Sequence, residues 1–141
     1  MLYAGTTEAC AFIETFGEPL DFPFVTRAQI DARKLSEIEL LKPLRLVDLC
    51  GSNLRRVGAD ARLFAAHHSV AQRWSRALHD HLALPDGIRY PARHDPDEFA
   101  VALFDRARRS GRAHVATETL GATSQRARLA RLLDRYGLGL V

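Results

Sequence analysis

Several things are scarce or missing in this 141-residue chain, and each narrows what it does. There are two cysteines, one methionine and one tryptophan, and of the 20 Lys+Arg residues only Lys34 and Lys42 are lysines. Two thiols cannot form a disulfide framework. Cys10 falls on the apolar side of a predicted helix and Cys50 ends an apolar run, so both read as buried, reduced thiols in a reducing cytosol. No apolar run approaches the roughly 18–20 residues of a membrane span. Met1-Leu2-Tyr3-Ala4-Gly5 lacks the basic segment and apolar stretch of a secretory signal. Leu2-Tyr3-Ala4 reads instead as mid-strand with nothing ahead of it, so we expect sequence to be missing upstream.

Motifs are missing too. No HExxH, CxxC, GxGxxG or GxxxxGK[ST] occurs, so zinc, Rossmann and P-loop sites have no support. His67 and His68 are neighbours, and His79 and His81, two apart on a helix, point apart; we expect no metal. No serine stands in a nucleophile elbow. There is no internal repeat and no low-complexity linker. The net charge is +3, a weak bias compatible with anionic ligands. Nucleic-acid binding would want a concentrated basic patch, and the arginines of 106–112 and 126–135 read as solvated faces.

What is present is the composition of one globular domain, 47% hydrophobic and 26% charged. A chain this long buries roughly two thirds of its unfolded surface. Residues 2–4 read as a strand. Thr6 and Thr7 can cap a helix whose Ala9, Phe12, Ile13 and Phe16 recur at helical spacing, and Gly17 stops it. Residues 18–23 are loop, broken by Pro19 and Pro23. From 25 to 49 the signal is mixed, with short strands at 38–40 and 44–47 parted by Lys42-Pro43. Short helical turns over 53–66 break at Gly58. Ser69 caps a stronger helix with Val70, Trp74, Ala77 and Leu78 on one face. Pro85-Asp86-Gly87 turns, residues 88–90 and 99–104 read as strands, and 105–119 as irregular and exposed. A last helix covers about 124–136, stopped by Gly137, and 138–140 form a final strand. Interleaved strands and helices place the fold in α+β or α/β.

Three segments, in order and over nearly all of the chain, carry a resemblance. The first is Leu2-Tyr3-Ala4-Gly5 with Glu8-Ala9 and Glu14-Thr15. The second is Val47-Asp48-Leu49, then Gly58-Ala59-Asp60 and Gln72-Arg73-Trp74. The third is Asp86-Gly87-Ile88-Arg89-Tyr90-Pro91-Ala92-Arg93, then Ala102-Leu103-Phe104-Asp105 and a closing Leu133-Asp134-Arg135-Tyr136-Gly137. Together they resemble the RES domain family, named for an arginine, a glutamate and a serine. The resemblance implies a bacterial toxin that cleaves NAD+ at the nicotinamide–ribose bond by hydrolysis or phosphorolysis. It implies a single α+β domain over residues 1–141 with an ADP-ribosyltransferase-like fold, a small mixed sheet flanked by helices. NAD+ is then substrate, not cofactor. The implied partner is an Xre-type antitoxin, the setting is the cytoplasm, and a homodimer follows only by analogy.

The site residues follow by position. Breaking an N-glycosidic bond builds positive charge on the ribose carbon, which a carboxylate stabilises; Glu14 matches the family's glutamate, and an idle helix-end glutamate is the plain alternative. Tyr3 matches the strand tyrosine, whose ring would stack on nicotinamide; a core tyrosine is its alternative. Gln72 and Trp74 match a family segment, though Trp74 suits the core. The family's arginine, a bidentate phosphate clamp, has no counterpart. The serine position holds Ala92, beside Arg93, which would reach phosphate or else sit idle in an exposed turn. Three readings stand: an NAD+-cleaving toxin, a degenerate domain that only binds its antitoxin, and an uncharacterised small domain.

Overall fold

A computed structural model describes residues 1–18, 21–65 and 68–141. The chain runs β1 (Leu2–Gly5), α1 (Glu8–Phe16), β2 (Phe24–Val25), α2 (Arg27–Asp31), β3 (Glu37–Leu40), β4 (Leu46–Asp48), α3 (Asn53–Arg56), α4 (Arg62–Ala65), α5 (His68–His79), β5 (Gly87–Pro91), β6 (Phe99–Leu103), β7 (Gly111–His114), α6 (Arg126–Arg135) and β8 (Gly139–Leu140). Four strands make one mixed sheet of order β1-β6-β5-β4. In it β6 is antiparallel to both neighbours and β4 is parallel to β5. Two-stranded ladders join β2 to β8 in parallel and β3 to β7 antiparallel. The class is the expected α+β, a small mixed sheet flanked by helices.

The register sorts side chains between the two faces, because residues opposite one another point the same way and neighbours alternate. Tyr3, Ala102, Ile88 and Val47 lie in one row, and Gly5, Ala100 and Tyr90 in the next row of the same face. Leu2, Ala4, Val101, Leu103, Arg89, Leu46 and Asp48 point to the other. On the first face Ile88 and Val47 pack against Leu49, Leu54, Leu63, Leu78 and Phe104. Further along it, Cys10 of α1 closes on Ala92 and Ala100. A third cluster gathers Ala9, Phe12 and Phe16 of α1 with Val25, Ile30, Leu120, Leu129 and Leu132. The large side chains among them, such as Phe12, Ile30 and Leu129, each contribute roughly 1.5–3 kcal/mol by leaving water.

Helix α1 begins where Thr7, in extended backbone, accepts a hydrogen bond from the Cys10 N–H (3.0 Å). It ends at Gly17, whose N–H reaches the Ile13 carbonyl at 2.8 Å. A Cβ at Gly17 would stand 2.6 Å from the His94 ring, so glycine is what lets the loop after β5 approach.

Some expectations are corrected. Residues 105–119 are not irregular throughout: Asp105–Ser110 form 3-10 turns with Ala107 and Ser110 buried, and β7 follows. The ladder to β3, with Glu37 opposite His114 and Leu40 opposite Gly111, holds β7 although its side chains stay largely in water. The mixed stretch 25–49 contains α2, opened by a Thr26–Gln29 capping box. β3 and β4 are strands as expected but belong to different sheets. Ala77 is exposed and Trp74 half-buried, so neither is a full member of a buried face. The last helix starts at Arg126, after a 3-10 turn over Thr123–Gln125. Pro19, Leu20 and His67 lie outside the described residues.

Candidate active site

The expected site residues come from α1, β1 and the hairpin loop between β5 and β6. Glu14 is one turn beyond Cys10, so it faces the same side of α1, toward Tyr90 and Ala92. Its Oε1 accepts a hydrogen bond from the Arg93 backbone N–H at 2.7 Å, a charge-assisted contact between the helix and the loop. Among the described residues its Oε2 has no hydrogen-bond partner. Tyr3 and Tyr90 lie on one sheet face, with β6 between them. Tyr3 is 64% exposed, so its ring is open to a ligand and is not a core tyrosine. Tyr90 is half-buried, and its phenol is pushed up to about 12 by burial, then by the Glu14 carboxylate and then by Tyr3. The same burial and the same carboxylate push the Cys10 thiol up to about 11, which makes it a packing group rather than a nucleophile.

Ala92 is 3% exposed and sealed against Cys10 and Ala100. Its N–H donates to the Glu98 carbonyl at 2.8 Å, closing the loop. The methyl group carries no polar function, so position 92 offers a ligand nothing but wall. The Arg93 guanidinium pairs with Glu18 at 2.6 Å, both partners more than half in water. Such an exposed pair is worth about 0–1 kcal/mol, little enough that a phosphate would compete for the arginine. Gln72, on α5, is exposed. Among the described residues no group of three or more His, Cys, Asp or Glu is placed to hold a metal ion.

The loop itself is tied from behind. Glu98, 7% exposed, accepts from the Thr7 hydroxyl and from Arg135, each at 2.5 Å. Asp95 accepts from the Tyr136 hydroxyl at 3.0 Å. Sequence reading missed this network, because its members lie about 40 to 130 positions apart and follow no local pattern.

On the opposite face of the sheet lies a cleft of about 1020 Å³, walled by Leu2, Leu46, Val101 and Leu103 and, across it, by Phe12 and Ile38. Of the expected site residues only Tyr3 borders it; Glu14, Ala92 and Arg93 do not. Arg89 lies on this side, paired with Asp48 at 3.3 Å and lying over the Phe99 ring.

No helix among the described residues is long and apolar enough to cross a membrane. Compared with known proteins, residues 1–128 match the sequence model of the RES domain; the Leu133–Gly137 segment lies beyond it. A "Probable toxin y4kH" of Sinorhizobium fredii (strain NBRC 101917 / NGR234) is 39% identical over 82 residues, covering 57% of this chain and 63% of that protein. The chain thus spans less than two thirds of that relative. No solved structure matches.

Proposed function

The chain belongs to the RES domain family, and from that premise we propose that it is the toxin of a toxin–antitoxin pair, cleaving NAD+ at the nicotinamide–ribose bond. The observation that carries this reading is that Tyr3 and Tyr90 share one sheet face, beside which Glu14 is tethered to the Arg93 amide at 2.7 Å. As the C–N bond breaks, nicotinamide leaves with the bonding pair and the ribose carbon becomes cationic. The Glu14 carboxylate stabilises that charge and orients the acceptor, while its free Oε2 can take the acceptor's proton. Water gives ADP-ribose; phosphate gives the 1-phosphate of the same ribose. The exposed Tyr3 ring supplies a stacking surface for nicotinamide. Released from Glu18, Arg93 would pair with the pyrophosphate. The partner is an antitoxin of the Xre type.

The test is nicotinamide release from NAD+ by purified protein, followed by proton NMR. Wild type releases nicotinamide, and Glu14→Gln is expected to lower the rate by about 10²-fold or more. Equal rates for the two would remove Glu14 from the mechanism.

One observation favours a second reading, a domain that binds the antitoxin without turning over NAD+. Position 92 is a buried methyl group where the family has a serine. Co-expression with the antitoxin would then yield a stable complex while NAD+ stays intact.

A further inference from the structure

We infer that the last turn of α6, through Arg135 and Tyr136, is the positioning element that sets the Glu14 carboxylate against the β5–β6 loop. The inference rests on the reading of Glu14 given above but concerns residues outside the family match, which ends at residue 128.

The geometry forms an unbroken path. Arg135 Nη2 bonds Glu98 Oε1 at 2.5 Å and reaches Asp95 Oδ2 at 3.5 Å. Tyr136 Oη donates to the same Asp95 oxygen at 3.0 Å, with the Ala9 carbonyl of α1 at 3.3 Å. Its ring stacks on Phe12, also of α1. Asp95 and Glu98 shape the loop in turn: the Glu98 N–H donates to the Asp95 carbonyl at 2.9 Å, and the Ala92 N–H to the Glu98 carbonyl at 2.8 Å. Arg93, next in the chain, presents its N–H to Glu14. The second Glu98 oxygen accepts a hydrogen bond from the Thr7 hydroxyl, so the loop is fixed to the N-terminus of α1 as well.

The β5–β6 ladder and the packing of Ala92 on Cys10 fix the base of the loop. Two further anchors hold its Asp95–Glu98 side: Thr7 from one side and Arg135-Tyr136 from the other. Arg135 is half in water, so it acts by direction more than by bulk burial. Arg131, one turn earlier on α6, meets only Glu8 among the described residues, at 3.8 Å, and serves as the control.

The test follows solvent exchange of the Arg93 amide of the full chain by nitrogen-15 NMR, without NAD+. In wild type this amide is protected by its bond to the Glu14 carboxylate, and Glu14→Ala removes that protection. In Arg135→Ala its exchange is expected to be about tenfold faster. Arg135→Lys restores most of the protection, and Arg131→Ala leaves it unchanged. Tyr136→Phe, which removes one hydroxyl, gives a smaller change of the same kind and carries the test alone if Arg135→Ala does not fold. Unaltered exchange in Arg135→Ala and Tyr136→Phe, or an equal loss of protection in Arg131→Ala, overturns the inference. Because no NAD+ is present, failure of the NAD+ reading and failure of this one are separate results.

Discussion

The two faces of the central sheet are built differently. On the side of Tyr90 small residues meet closely, Cys10 against Ala92 and Ala100, and the adjoining loop is cross-linked to both ends of the chain through Glu98 and Asp95. On the other side large apolar residues line an open cleft of about 1020 Å³, and Leu2 is 49% exposed. Polar cross-links thus gather beside the Glu14–Arg93 hydrogen bond. The proposed site residues Glu14, Ala92 and Arg93 do not line the cleft.

Substitutions can break or sharpen this contrast. The largest expected effect is Ile88→Ala, in the tight cluster with Leu54 and Phe104, at about 3 kcal/mol in chemical denaturation. The matched change on the cleft side, Leu2→Ala, should cost less than about 1 kcal/mol because that side chain already meets water. Equal losses would mean the cleft is closed in solution. Glu98→Ala should follow at about 2 kcal/mol, below the usual cost of halving a buried pair because Arg135 keeps part of its hydration. A negligible loss would show that the loop is held by its backbone alone.

The smallest effect is a pH dependence on the tightly packed side. His79 bonds Asp80 (2.7 Å) and Asp105 (3.2 Å), close to Arg106. Its pKa is raised, first by the Asp80 hydrogen bond and then by Asp105, and that of Asp105 is lowered, chiefly by His79. A raised histidine stabilises the fold fully below its ordinary value of 6.5 and loses that contribution as pH rises through the higher folded value. The lowered Asp105 contributes above 3.8 and loses its share as pH falls. The melting-temperature gap between wild type and His79→Gln should therefore be widest near pH 5 and shrink above neutrality. A gap that widens with pH contradicts the pairing.

Elements with their own periodicity or cap were legible in the sequence: α1 between Thr7 and Gly17, β5, β6, and α6 before Gly137. Strand β7 was not, because a ladder holds its mostly exposed Gly-Arg-Ala-His in place of an apolar alternation. Helix α2 was missed although Thr26-x-x-Gln29 announces its start. Of the site, Glu14, Tyr3 and the turn at Arg93 could be named from segment likeness. That Ala92 is buried, that Arg93 is paired with Glu18 and that Glu98 is clamped are products of the tertiary structure, and no local pattern encodes them.

The central claim is that NAD+ occupies the face carrying Tyr3, Glu14 and Tyr90. It is tested most directly by adding NAD+ to the Glu14→Gln protein and following its three tyrosine rings and the methyl groups of Leu46 and Leu103 by carbon-13 NMR. The account predicts that the Tyr3 and Tyr90 rings shift together along one binding curve while Tyr136 and the leucine methyls stay still. Shifts confined to the leucine methyls, or no shift at all, would contradict it.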